Sequence, residues 1–565
     1  MPAIAIAVGC LVVFWLGYRW YSRYLAERVY ALDPDFRTPA HELRDGVDFV
    51  PTNRHVLLAH HFTSVAGAAP IVGPAIAVYW GWLPALLWVV LGTVFAAGVH
   101  DFGSIVVSAR NRGRNIGTLA GSVIGPRAST LFLLIIFFLV TLVNAVFAVV
   151  IAILFESHPG VVIPALVVIP IAVFIGQWAY RWRRPILVPS LLGLALLYAA
   201  IPVGQALPLH LDGLAAWAGL EVRTTWILLI FAYTWVASRL PVWLLLQPRD
   251  YINGHQLIVA LALIFLGVAV GFDRIAAPAV NTDLAADAPH WFPFLFVTIA
   301  CGAISGFHSL VASGTTSKQL DRETDARYVG YGGALGEGAL AVAAILACTA
   351  GLGGAGEWAA RYADFGAASG GGLGNFVDGV GHFLGNLGIP ASLGAIFAAV
   401  VVITFAGTTM DTGVRLQRYI LQEIGELAGF RGLARRLNLL TTLAVVIPLG
   451  LALAPGGEGK GFAFGRLWTL FGTTNQLTAG LALAVIGVWV ARRGRNPLAA
   501  LVPLVFLLAM TAWALFLNLG TFHDKGDWLL LGMDLAIFGL ALWLMAEALV
   551  ALGRFRRTPD GGGDE

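Results

Sequence analysis

The sequence predicts an all-α polytopic membrane protein of about fifteen transmembrane helices, built as two inverted five-helix repeats with extra helices. Three observations predict it. Only 12% of the 565 residues are charged and 58% are apolar, against about 25% and 45–50% in soluble domains, and the mean hydropathy is +0.80. The apolar residues gather in runs of about 20, the length of a helix that crosses a bilayer. Two of these runs, far apart in the chain, are interrupted by glycine, histidine and small hydroxyl residues, and they lie in spans of opposite direction.

The first run, 3–20, has no charge before it and is followed by "YRWYSRYLAER". A signal peptide has the reverse charge order and a small-residue cleavage site, so this is a retained span. Further spans are expected near 55–80, 83–109, 129–155, 161–180, 186–206, 225–246, 256–272, 291–312, 331–352, 389–410, 438–454, 465–490, 497–517 and 528–551. Placing the first loop in the cytoplasm puts 28 of the 35 Lys and Arg residues inside, 6 outside and one, Arg239, within a span. That asymmetry follows the positive-inside rule and sets the N-terminus outside and the C-terminus in the cytoplasm. The outer stretch 353–388 is glycine-rich and reads as a solvated connection or a mobile lid. Residues 273–290 read as a mildly acidic connection, and the tail "RTPDGGGDE" as disordered.

The organisation expected is 1–54 as first span and cytoplasmic loop, then 55–206 as the first repeat (spans 2–6). Residues 207–290 form an inserted helix pair, 291–492 the second repeat (spans 9–13), and 493–565 two peripheral spans and a tail. Such inverted repeats place the binding site where the first helix of each repeat is broken.

In span 2 the run "HHFTSVAGAAPIVGP" covers His60–Pro74. Pro70 leaves the carbonyl of Ala66 without a helical donor, and Pro74 does the same to that of Pro70. Gly67 and Gly73 permit departure from the helix. Irregular backbone survives in a bilayer only where it lines a cavity or is buried in protein, so the break marks a polar site. The alternative is a proline kink with interfacial histidines. Freed carbonyls suit a cation, and the start of the next half-helix suits a carboxylate. His60 and Ser64 share one helix face, and His61 points elsewhere. Gly67 and Ala68 lie at the break itself.

Span 9 carries "CGAISGFHSLVASGTTSK". Gly302 and Gly306 form a G-x-x-x-G pair, which close helix packing alone explains. Packing does not explain His308 or the dense hydroxyls that include Ser305. Other polar groups also sit at membrane depth, where ionisable residues are costly and hence functional candidates. His100 and Asp101 lie late in span 3, and a helix-end cap is their plainer reading. Glu337 in span 10 is the candidate proton-carrying carboxylate, with a cross-helix hydrogen bond as the alternative. Thr408, Thr409 and Asp411 end span 11, where Asp411 is four residues from Arg415 and could pair with it. Asn475 and Gln476 lie in span 13.

The three cysteines show neither a disulfide framework nor metal-ligand spacing. No phosphate loop, H-E-x-x-H or G-x-S-x-G motif is present, so the chain reads as neither an enzyme nor an ATP-driven pump. The basic loops suit anionic lipid headgroups of the bilayer rather than nucleic acid.

The segments "HHFTSVAGAAPIVGP", "AGVHDF", "IACGAISGFHSLVASGTT", "GTTMDTGVRLQRYILQE" and "LWTLFGTTNQL", spread over residues 55–490, resemble the signature segments of the carbon starvation protein A family. The resemblance implies a multi-pass transporter of the bacterial inner (plasma) membrane that takes up peptides or pyruvate under nutrient limitation, with proton symport in the pyruvate members. It also implies membership of the amino acid–polyamine–organocation superfamily, whose LeuT-like five-plus-five fold agrees with the topology above. In sodium-coupled members of that superfamily the cation lies between the first broken helix and hydroxyls of the eighth core helix. By that analogy Ala66 and Pro70 face Thr408 and Thr409, and Ala66, Thr408 and Thr409 form a site open to Na+, the ion being either sodium or a proton.

The expected function is therefore secondary active import of a small carboxylate or short peptide by alternating access. The coupling ion is H+ or Na+, and no cofactor is expected. Substrate contacts are expected from His60, His61, Ser64, Gly67, Ala68, Ser305, Gly306, His308, Asn475 and Gln476. Cation coupling is expected from Ala66, Pro70, Thr408, Thr409, Glu337, His100, Asp101 and Asp411. The alternative is a nutrient-sensing membrane receptor that acts through a partner kinase.

Overall fold

The computed structural model describes residues 1–565 except 47, 286–287, 431, 433–435, 455–463 and 556–565, so the disorder expected of the tail falls outside the described residues. Among the described residues eleven helices are long and apolar enough to cross a membrane, and two sharply bent pairs raise the number to thirteen. The two other expected spans are a 16-residue apolar helix and a segment interrupted in its middle.

In chain order the spans are α1 (Ala3–Val29), α2a and α2b (Arg54–Ala66 and Ala69–Trp80), α3 (Trp82–Ala109), α4 (Pro126–Ser157), α5 (Pro159–Arg181), α6 (Leu187–Ala206) and α7 (Val222–Ala237). Then come α8 (Leu246–Gly271), the interrupted pair α9a (291–303) and α9b (306–319), α10 (Arg327–Ala350), α11 (Ala391–Leu427), α12 (Leu437–Ala452), α13 (Phe464–Arg492), α14 (Leu498–Asp524) and α15 (Trp528–Phe555). Helix α7 stops at Ala237, so Arg239 lies past its end and outside the span that the sequence assigned to it.

The breaks occur where the sequence supplies their causes. Asn53 caps α2a by accepting from the His55 amide at 2.9 Å. Gly67 then adopts φ +47, ψ −157, a conformation that only glycine reaches readily. Pro70 opens α2b, and the two halves are bent by 46°. In α9, Ile304 and Ser305 are extended (φ −169 and −139). The broken spans lie side by side and antiparallel. Gly73 of α2b sits on the Thr298 carbonyl of α9a, where a Cβ would come within 2.4 Å, and His61 of α2a meets Thr316 of α9b.

Around this pair, α4 packs along α11, α8 packs on α2a, and α13 packs on α9b. Buried polar contacts fix the register of α4 on α11: Asn144 donates to Gln417 at 2.9 Å, and Gln417 donates to Thr141 at 2.7 Å.

The glycine-rich stretch differs from expectation. Rather than a solvated connection it forms two helices, Ala355–Arg361 and Phe365–Gly385, the second capped by the Asp364 carboxylate on the Ala367 amide. Three of its glycines meet other helices closely: Gly372 meets α2b, Gly379 the Ala347 carbonyl of α10, and Gly381 the start of α11. The glycines are there because helix backbones touch, as small residues allow in membranes. The 273–290 connection is likewise stitched down. The Ala3, Ile275, Ala276 and Asn281 amides bond the carbonyls of Asp273, Met1, Thr349 and Trp80.

Candidate functional site

Two buried polar clusters flank the broken spans. The first joins α3, α9b and α10. α3 turns His100 and Asp101 inward, both fully buried. The half-helix α9b brings the His308 ring between two carboxylates: its Nδ1 is 2.9 Å from Asp101 Oδ2, and its Nε2 is 3.1 Å from Glu337 Oε2 on α10. The other oxygen of Asp101 takes His100 Nδ1 at 2.7 Å. The result is a row of four titratable groups, Glu337–His308–Asp101–His100. Among the described residues Glu337 Oε1 and His100 Nε2 have no hydrogen-bond partner, and His308 Nε2 meets Glu337 at ion-pair distance without a hydrogen bond.

Protons can be counted along this row. If His308 donates from Nδ1 to Asp101, one further proton lies between Nε2 and Glu337. It sits on the ring as an imidazolium or on the carboxyl as an acid. Without it a ring lone pair would face a carboxylate, which a buried site does not tolerate. A single proton shared by the Glu337–His308 pair would resolve that contact.

The second cluster joins α7, α8 and α11. Arg249 of α8 donates from Nε to Thr408 Oγ1 at 3.0 Å and from Nη1 to the Tyr233 hydroxyl at 2.8 Å, while its Nη2 lies 2.9 Å from Asp411 Oδ2. Tyr233 donates to the same carboxylate at 3.2 Å, and Asn253 donates to Thr408 at 2.9 Å. Arg249 and Asp411 are both almost fully buried. Arg415 instead bonds the carbonyls of Ala237, which ends α7, and Leu240 beyond it, so Asp411 pairs with Arg249 and not with the neighbour four residues on. The sequence reading counted Arg249 among the basic residues of a cytoplasmic loop. The structure puts it inside α8, and no sequence pattern marks Tyr233 or Asn253, which complete the cluster.

The remaining expected residues separate into groups. His61 is fully buried, with Nδ1 2.9 Å from Thr316 Oγ1, tying α2a to α9b. His60, on another face, lies 3.3 Å from Asp250 and lines a cavity of about 980 Å³ bordered by Arg181, Arg239, Arg415 and Arg418. Asn475 is fully engaged at the α9 break: its Oδ1 accepts from Ser305 Oγ (3.2 Å) and from the Phe307 amide (3.1 Å), and its Nδ2 lies 2.9 Å from Cys301 Sγ. Gly306 fits against the Asn475 carbonyl and Thr478. Ala68 accepts the first amides of α2b from Ile71 and Val72. Gly67 faces Thr409 Oγ1 and the Phe147 ring. Ser64, Thr409 and both amide atoms of Gln476 are buried with no partner among the described residues. They are among several buried polar groups near the breaks without a partner, His61 Nε2 and Thr298 Oγ1 being others. Ala66 and Pro70 flank the break, both buried.

The family model described as carbon starvation protein CstA matches residues 2–353 and 357–514. The chain is 35% identical to the peptide transporter CstA of Mycobacterium tuberculosis (strain ATCC 25618 / H37Rv), over 90% of this chain and 74% of the relative. It is 32% identical to the pyruvate/proton symporter BtsT of Escherichia coli (strain K12), over 92% and 82%. Among solved structures, MhsT in complex with L-phenylalanine aligns with 89% of this chain and 98% of its own at 14% identity, with a TM-score of 0.47. A manganese transporter from Eremococcus coleocola aligns with 90% and 99% at 12% identity, with a TM-score of 0.45.

Proposed function

The chain belongs to the carbon starvation protein CstA family, and from that premise we propose that it imports a small carboxylate such as pyruvate, or a short peptide, by proton symport across the bacterial plasma membrane. The observation that carries the coupling is the row Glu337–His308–Asp101–His100. His308 rides on α9b and bridges α3 and α10, so a rocking of the broken helices changes its distance to both carboxylates. Protonation of the Glu337–His308 pair then favours one arrangement over the other, which is how a ligand shifts a two-state equilibrium. His61 ties α2a to α9b, so the inner halves of the broken spans move together.

Substrate is assigned to the breaks, where Ser64, Thr409 and Gln476 present unpartnered groups and Gly67 leaves room beside Phe147. The N-terminus of a half-helix favours a carboxylate there. The large cavity that reaches His60 is bordered by arginines of the basic loops. With the N-terminus outside and the C-terminus inside, it opens to the cytoplasm.

The packing supports one change to the expected repeat division. α8 lies on α2a as α13 lies on α9b, and α7 and α12 both cross α4 and α11. The first repeat is then α2, α3, α4, α7 and α8, the second is α9–α13, and the inserted pair is α5 and α6 rather than α7 and α8.

Proteoliposomes with an acid exterior test the reading. Labelled pyruvate or a dipeptide should accumulate, and a protonophore should abolish accumulation. Uptake indifferent to the proton gradient would contradict the coupling.

A further inference from the structure

We propose that Arg249 is a tethered cation that takes the place the analogy opens to sodium beside Thr408, so that α8 and α11 are joined by a permanent tie and this chain has no sodium site there. Three observations carry it. First, a hydroxyl oxygen has two lone pairs, and those of Thr408 already accept from Arg249 Nε at 3.0 Å and Asn253 Nδ2 at 2.9 Å; none remains for a metal ion. Second, the carboxylate of Asp411 faces the guanidinium at 2.9 Å and accepts from Tyr233, itself bonded to Arg249. Third, the arginine is 4% exposed and stays charged at any physiological pH, so unlike a bound ion it cannot leave during a transport cycle.

The role is one of positioning. α8 supports the inner half of the first broken helix, with Gly254 against Ala59, and Arg249 holds α8 to α11 one turn away. Under the proton-symport reading, on which this last point rests, the exchangeable charge must be carried elsewhere, at the Glu337–His308 pair.

The test titrates Na+ against K+ at constant ionic strength and reads the melting temperature of the purified full-length protein, which requires no substrate. Wild-type protein should show no sodium-specific shift. Arg249→Lys, which keeps a cation, should fold and show none either. Arg249→Ala should melt about 10 °C lower, since it strands a buried carboxylate, and should recover part of that loss in Na+ but not in K+. Saturable stabilisation of wild-type protein by Na+ would overturn the proposal, as would Arg249→Ala with wild-type stability. Glu337→Gln should leave the sodium titration unchanged, which separates this claim from the proton reading.

Discussion

His308 touches a carboxylate through each ring nitrogen, and no other imidazole among the described residues does. Its neighbours were visible in the sequence as intramembrane ionisable residues, but their joining was not. His100 and Asp101 lie some two hundred positions before His308, and Glu337 lies 29 after it, and only the packing of α3, α9b and α10 brings them into one row. The opposite holds for the opening histidine pair. Adjacent residues on a helix point about 100° apart, so different roles for His60 and His61 were legible from spacing alone. Arg249 was not legible, because a basic residue at the start of a span reads as a positive-inside loop charge until burial is known. Removing one member of a buried charged group leaves the others uncompensated, at a cost of about 3–5 kcal/mol. Asp101→Asn should therefore lower the melting temperature of the purified protein markedly, whereas an unchanged value would show that Asp101 bears no charge in the row.

At the scale of the element, both broken spans follow from local chemistry. Gly67 ends α2a and Pro70 opens α2b, and both residue types are visible in the sequence. The α9 break has no proline and depends on a tertiary contact, the Asn475 side chain bonding Ser305 and Phe307. Hence Asn475, expected to meet substrate, is used to hold the backbone. The glycine-rich helix was misread for a similar reason. Glycine is a poor helix former in isolation, and the close contacts at Gly379 and Gly381 that favour it are tertiary. Two substitutions separate these uses. Gly73→Val would put a side chain against the Thr298 backbone and should destabilise by about 1–3 kcal/mol. Gly374→Ala, in open space on the Phe365–Gly385 helix, should be neutral or stabilise by up to about 1 kcal/mol. Denaturation of the two variants side by side checks both values, and equal effects would refute the contact argument.

For the whole molecule, composition and run length point to the class, and the distribution of Lys and Arg predicts an orientation that places the arginine-bordered cavity on the cytoplasmic side. The repeat division was harder to read, because which helices form a bundle depends on packing rather than order. Orientation can be read directly, since Cys10, Cys301 and Cys348 are buried and give little background. His60→Cys, lining the cavity, should react with a membrane-impermeant thiol reagent added to the cytoplasmic face, and His61→Cys should not. Labelling of His60→Cys from the outer face alone would reverse the assigned orientation.

The central claim is that proton movement is tied to transport through the row held by His308. Proteoliposomes containing Glu337→Gln test it most directly, by comparing pH-gradient-driven accumulation with exchange of labelled against unlabelled pyruvate or dipeptide at equal pH. Glutamine keeps the shape and a hydrogen bond but carries no exchangeable acid proton. The account predicts that accumulation is lost while exchange persists. Accumulation at the wild-type level in the Glu337→Gln protein would contradict it.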